Sequence, residues 1–230
     1  MEYVTTHNLT KRFSSVRAVD DASITLESGK IYGLLGPNGS GKSSFMKMVA
    51  GLFHPSTGAI EVMGEPLSVQ SKRYVAFMTT EQYFYDYMTV GMVGQFHKDF
   101  YEDFDEAAYA GLVKDMQLTM DMKVRSLSSG MAAKLKMAAT MARDAKVFML
   151  DEPLNGIDLI ARDAILASII KRADTENCIL ISSHLIDAME NILDEVIFIK
   201  EGKIVVCGNA ESIREARGKS IVDLYKEVFA

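Results

Sequence analysis

Gly36-Pro37-Asn38-Gly39-Ser40-Gly41-Lys42-Ser43 limits what this chain can become more than any other stretch. It fits G-x-x-x-x-G-K-[ST], in which glycines let the backbone wrap one anion, a lysine adds a cation and a hydroxyl follows. The flanks agree with it. Lys30 to Leu35 reads as a short apolar strand of the kind a parallel sheet buries on both faces, and Ser44 to Ala50 reads as a helix stopping at Gly51. In that setting successive N–H groups and the helix N-terminus converge on one phosphate, Lys42 serves the outer phosphates, and Ser43 offers a hydroxyl to magnesium. A magnesium nucleotide is the expected ligand.

At 230 residues the chain can bury a core without staples. Cys178 and Cys207 each sit in an apolar run, so both are expected to be reduced and buried, and two isolated cysteines make a poor metal site. The net charge of -6, with acids and bases interspersed, argues mildly against a duplex-binding surface, and no nucleic acid partner is expected. No apolar run approaches the roughly 18 residues of a membrane span, and Met1-Glu2-Tyr3-Val4 does not open a signal peptide.

From the start, Tyr3 to Leu9 and Ala22 to Leu26 read as strands of a small separate sheet, with turns at Asp20-Asp21 and Ser28-Gly29. Lys11 to Val16 reads as a polar loop carrying Phe13, whose ring serves either simple packing or an adenine face. Gly58 to Gly64 and Tyr74 to Met78 are further strands, the second running into Thr79-Thr80-Glu81-Gln82. Carboxyl ends of strands are where open α/β sheets collect ligand contacts.

Between Thr89 and Leu127 the pattern turns helical, with starts at Thr89 and Asp105. Phe96, Phe100, Tyr101, Phe104 and Tyr109 form either a small core of this insertion or a partner-facing groove. Ser126 to Met131 is a small polar turn entering a helix over Ala132 to Arg143, an N-cap that doubles as a second potential anion site. Val147 to Leu150 is a buried strand delivering Asp151 and Glu152 to the same edge as the phosphate loop. There Asp151 suits a magnesium shell and Glu152 a water facing the outermost phosphate. Asn155 to Asp158 turns into a helix over Leu159 to Arg172. Cys178 to Ser183 is another buried strand, ending at His184, which as a hydrogen-bond donor suits sensing a γ-phosphate, with a helix expected over Leu185 to Leu193. A hairpin around Glu201-Gly202 and a helix over Glu211 to Phe229 complete the chain.

The order of phosphate loop, helical insertion, Leu127-Ser128-Ser129-Gly130-Met131, strand with Asp151-Glu152, and His184 resembles the ATP-binding subunit of an ABC transporter over nearly the whole chain. The interval from Gly130 to Asp151 is the one that family's signature and second nucleotide motif lead one to expect. The resemblance implies an α/β fold: a P-loop NTPase core with a parallel sheet, a small N-terminal antiparallel subdomain, and a helical subdomain inserted at about 89–130, all in one domain over 1–230. It implies ATP held by Gly36, Pro37, Asn38, Gly39, Ser40, Gly41, Lys42, Ser43 and Ser44, with Phe13 stacked on adenine. Magnesium would be held by Ser43 and Asp151. Glu152 becomes the catalytic carboxylate, His184 the switch histidine, and Asn155 to Asp158 the loop at a dimer contact. Ser128 and Gly130 would act in trans, on ATP held by a second ATP-binding subunit.

Two departures stand out. The signature usually reads Leu-Ser-Gly-Gly-Gln, and Ser129 and Met131 replace a glycine and the glutamine, which predicts weakened closure. Counting back from Thr89 puts Thr80 where the family has a glutamine, leaving Thr80, Glu81 and Gln82 to share its contacts with metal or transporter. The expected function is an ATPase subunit, peripheral at the cytoplasmic face of the cell membrane and driving a separate transmembrane subunit. Tyr83 to Asp105 resembles exporters of peptides or amphipathic molecules. A soluble ATPase of the same family acting on ribosomes or DNA is the alternative. A small-molecule kinase is opposed by the Ser-Ser-Gly turn.

Overall fold

In the computed structural model, which describes residues 1–230, β1 (Glu2–Phe13), β2 (Val16–Ala22) and β3 (Thr25–Glu27) lead into β4 (Lys30–Leu35) and α1 (Lys42–Val49). β5 (Thr57–Val62), β6 (Glu65–Pro66) and β7 (Val75–Met78) follow, then α2 (Val90–Phe100), α3 (Glu106–Asp115) and α4 (Ser129–Met141). The chain returns through β8 (Val147–Asp151), α5 (Leu159–Arg172) and β9 (Cys178–Ser183). It ends with β10 (Glu195–Lys200), β11 (Lys203–Asn209), α6 (Ala210–Arg217) and α7 (Ile221–Phe229).

Six strands pair in the order β11-β10-β4-β9-β8-β7, parallel throughout except for the β10/β11 hairpin. Alternation along these strands buries both faces. Tyr32, Leu34, Val147, Met149 and Leu180 face one core, while Ile31, Leu35, Phe148, Leu150 and Ile181 face the other. The first core lies under the N-terminal antiparallel sheet, in which β1 pairs with β2, β3 and β5, and it also receives Phe45, Met46, Met48 and Val49 of α1. The helix behind the phosphate loop is therefore held between two sheets. Each fully buried Phe or Met there contributes about 1.5–3 kcal/mol relative to exposure.

Register then fixes the site. Leu35 lies opposite Ser183 and Asp151 opposite Ser182, so the phosphate loop, Asp151 and His184 all leave the sheet at one edge.

The helices between β7 and β8 begin where expected: Thr89 caps α2 by accepting from Met92 N–H, and Asp105 caps α3 by accepting from Ala108 N–H. The aromatic cluster divides. Phe104 and Tyr109 are buried and pack together, with Phe104 also against His97 and the Tyr109 hydroxyl donating to Val90 O at 2.7 Å, whereas Phe96, Phe100 and Tyr101 stay exposed.

Five expectations are corrected. Lys11 to Val16 is not a loop: β1 runs to Phe13, and Ser14-Ser15 is the tight turn of a hairpin pairing Phe13 with Val16. Asp20-Asp21 lies inside β2, where a register shift and a left-handed Asp21 (φ 60) absorb the residues read as a turn. Leu185 to Leu193 forms two 3-10 turns, Ile186–Ala188 and Glu190–Ile192, whose three-residue spacing lets Ile186 and Met189 face the core together. The C-terminal helix is two helices, because Gly218 adopts φ 60 and ends α6. Cys207 is exposed, unlike Cys178, since β11 is an edge strand with one open face.

Candidate active site

The phosphate loop crosses from β4 to α1 over two glycines at which any side chain would clash with backbone. Gly41 has φ +113 and a Cβ there would lie 2.1 Å from Ala18 O; at Gly36 it would lie 2.4 Å from Ile199 O. The loop lines a cavity of about 380 Å³ together with Asn38, Gly39, Ser43, Ser44, Thr80 and Glu152. Lys42 is 5% exposed, and its Nζ lies 2.7 Å from Gly36 O, 3.2 Å from Pro37 O and 3.1 Å from Glu152 Oε1. The Glu152 contact is an ion pair without hydrogen-bond geometry. The one cation of the loop thus sits against the carboxylate expected to do the chemistry.

Asp151 is fully buried at the end of β8. Its Oδ1 accepts from Ser43 Oγ at 3.0 Å and from Ser182 Oγ at 2.6 Å, while Oδ2 is buried with no partner. Burying a carboxylate oxygen unpaired is costly, and a cation is the partner such an oxygen suits. Glu152 follows with φ 49, a left-handed conformation that costs a non-glycine residue about 1–3 kcal/mol. Two hydrogen bonds hold it there, from its N–H to Ser182 Oγ at 2.8 Å and to Ser182 O at 3.2 Å. The conformation turns the carboxylate toward Lys42 and toward His184, whose Nδ1 lies 2.9 Å from Glu152 Oε2.

Lys42, Ser43, Asp151, Glu152 and His184 are therefore brought together, and Ser128 and Gly130 are not. Those two form the start of α4, where the exposed Ser128 caps by accepting from Met131 N–H at 3.2 Å and Ser129 Oγ donates to Gly156 O at 3.1 Å. Phe13 lies at the hairpin tip outside the cavity lining, edge-on to Phe53 at 5.4 Å between centroids, with Lys11 Nζ 5.0 Å from its ring. Thr80 borders the phosphate-loop cavity and also a second cavity of about 240 Å³, which Gln82 lines too. Glu81 turns away to Lys47 Nζ at 2.7 Å, and that hydrogen bond draws its pKa down to about 2.

Sequence reasoning missed Ser182, although a serine ending an apolar strand beside Asp151 is a detectable signal. It also missed Lys136, whose Nζ reaches the carbonyls of Thr79 and Thr80; a lysine in a helix otherwise rich in Ala and Met carries no such signal.

Comparisons with known proteins agree with this geometry. Residues 19–155 match the family described as ABC transporter. The chain is 32% identical to the Nod factor export ATP-binding protein I of Burkholderia lata, over 95% of this chain and 75% of that one. It is 30% identical to the ABC transporter ATP-binding protein NatA of Bacillus subtilis, over 93% and 92%. Among solved structures, an ATP-binding subunit of an ABC transporter superposes with TM-score 0.88 at 24% identity, over 98% of both chains. A dimeric ATP-binding cassette bound to ADP and Pi after hydrolysis superposes with TM-score 0.79 at 17% identity, over 90% of this chain and 98% of that one. The phosphate loop, the buried Asp151 and the neighbouring Glu152 thus stand in an ATPase, and the chain belongs to the ABC transporter family as an ATP-binding subunit.

Proposed function

We propose that this subunit works as a dimer of ATP-binding subunits, in which Ser128 and Gly130 of one chain close over ATP held by the phosphate loop of the other. The supporting observation is the division of the site: Lys42, Ser43, Asp151, Glu152 and His184 share one sheet edge, while Ser128 is exposed at the start of α4 and lines none of their cavity. A second chain, identical or homologous, supplies the missing wall. Two structures of similar fold are dimeric cassettes, which supports this arrangement.

Within one chain, residues 36–44 bind the phosphates, and Phe13 with Lys11 offers a ring face and a cation at the hairpin tip for adenine. Ser43 and Asp151 would hold Mg2+, which fits the unpartnered Asp151 Oδ2, with Thr80 and Gln82 as further candidates. When bound, the ion neutralises charge on the transferring phosphoryl group. Glu152 orients a water and takes its proton, and His184 holds Glu152 and senses the outermost phosphate. The helices inserted between β7 and β8 and the Thr80 loop pass closure to a transmembrane subunit.

That subunit is proposed to dock at the apolar groove between the end of α1 and the insertion. Leu52, Phe77, Tyr83, Tyr101 and Arg143 line it, and the exposed Tyr85 and Tyr87 stack beside it in sequence. No helix of this chain is long and apolar enough to cross a membrane, so the chain would lie at the inner membrane face through its partner. Export of amphipathic or peptide cargo is the direction favoured, on the resemblance at residues 83–105 and on relatives named for Nod factor export.

The test is Glu152→Gln beside the unmutated chain, followed by size exclusion with Mg-ATP and by phosphate release. A trapped ATP-bound dimer and turnover lower by about 10²-fold or more supports the reading. If neither protein dimerises, the homodimer is excluded and a homologous partner becomes the requirement.

A further inference from the structure

Lys136 sits two turns into α4 and is only 8% exposed, yet its ammonium has no carboxylate partner. Instead Nζ donates to two consecutive carbonyls, Thr79 O at 3.0 Å and Thr80 O at 2.9 Å. Along a regular strand consecutive carbonyls point to opposite sides, so one nitrogen meets both only because the chain has left β7 and turned. Burial draws the Lys136 pKa below its ordinary value, while Glu81 and Asp151 pull it back from a distance. An unpaired buried cation is a costly way to tie down a loop, and the loop it ties down lies at the chemistry.

The same loop is gripped from the opposite side. Lys47 of α1 holds Glu81 at 2.7 Å, and the Thr79 hydroxyl closes on the same carboxylate. Residues 79–81 are thus fastened to two helices: α1, which begins at Lys42, and α4, which begins next to Ser128. Between these fastenings Thr80 borders both cavities, shared in each case with Glu152 and Asn155.

We propose that Lys136 is a positioning residue for ATP hydrolysis, which fixes the Thr79-Thr80 backbone so that Thr80 stays at the wall it shares with Glu152. A threonine is shorter than the glutamine usual at this place, so it can reach the phosphate-loop cavity only from a backbone held close. Lys136 supplies that hold. Placement errors near 1 Å cost about 10²-fold in rate, which sets the scale of the effect.

The proposal rests on hydrolysis at Glu152, so wild type against Glu152→Gln is run first as a separate readout of that reading. Lys136→Met is then expected to lower kcat about tenfold or more with the Mg-ATP Kd within about twofold, and Lys136→Arg to recover at least about a third of the loss. Thr80→Val, which keeps shape and removes the hydroxyl, should reproduce the kcat loss, and the double variant should add little to it. Amide exchange at Thr80–Gln82 should quicken in Lys136→Met at unchanged melting temperature. A Lys136→Met kcat within about twofold of wild type overturns the proposal. So does a fall in kcat with a rise in Kd that tracks a fall in melting temperature and is not rescued by arginine. If Lys136→Met does not fold, Thr80→Val decides: an unchanged kcat there overturns the proposal.

Discussion

Ser182 Oγ donates to Asp151 Oδ1 at 2.6 Å and accepts the N–H of Glu152 at 2.8 Å, so one hydroxyl positions both acids of the site. It does so because β8 and β9 are in register, Asp151 opposite Ser182. Ser182→Ala leaves a fully buried carboxylate short of a donor and loosens the left-handed Glu152. A loss of about 1–3 kcal/mol is expected, read from urea unfolding, together with a fall in ATP turnover. Unfolding midpoints equal to wild type would show that a rearranged neighbour takes over the hydroxyl's work.

At the phosphate loop, the prediction concerns space. A methyl on Gly41 would lie 2.1 Å from Ala18 O at φ +113, so Gly41→Ala must push the loop away from β2. Overpacking and backbone strain together cost about 1–3 kcal/mol. Mg-ATP affinity should fall more than about tenfold, since every N–H aimed at phosphate moves with the loop. Calorimetric titration showing wild-type affinity would contradict the clash.

Much of this was legible in the sequence. The phosphate loop, Asp151-Glu152 and the caps at Thr89 and Asp105 depend on local chemistry, and each stands where its residues predict. What was not legible depends on partners distant in sequence. Ser182 and Asp151 meet through sheet register, Lys136 reaches Thr79 across 57 residues, and Cys207 is exposed because its strand is the edge. The broken C-terminal helix is a different case, because its break is local: Gly218 adopts φ 60 and ends α6.

His97 carries a pH prediction. Burial lowers its pKa, the Val93 carbonyl it contacts at 2.9 Å raises it, and the Arg143 charge lowers it further, for a net shift below the ordinary value. Tyr101 and Phe104 face the ring from the same cluster. Well above about pH 6.5 the ring is neutral in folded and unfolded chains alike and contributes no pH dependence. As pH falls below that value the unfolded chain takes the proton first, so stability is lost until pH passes the lower folded pKa. Urea unfolding of wild type between pH 7.5 and 5 should fall with a steeper slope than His97→Phe, by at most about 1.4 kcal/mol per pH unit. Parallel slopes would mean that the folded chain does not lower the His97 pKa.

The altered signature carries the last prediction. Ser129 Oγ donates to Gly156 O at 3.1 Å, which ties the start of α4 to the loop over Asn155 to Asp158 in the same chain. Gly130 is packed against the next helix, where a Cβ would lie 3.3 Å from the Ala161 side chain. The usual glycine at 129 cannot make the Ser129 bond, and the usual glutamine at 131 offers polar atoms that Met131 lacks. In the proposed dimer, where α4 would close on the opposing nucleotide, any shift of α4 against that loop would have to break the tie, a resistance of about the 0.5–1.5 kcal/mol of one hydrogen bond. Ser129→Gly combined with Met131→Gln should tighten Mg-ATP-driven dimerisation of the Glu152→Gln chain by about tenfold, measured by analytical ultracentrifugation. Ser129→Gly alone should give part of that gain, as removal of the tie requires. Equal dimerisation constants in all three proteins would mean that closure does not depend on the signature, and that the two substitutions leave the dimer as strong as the usual motif would.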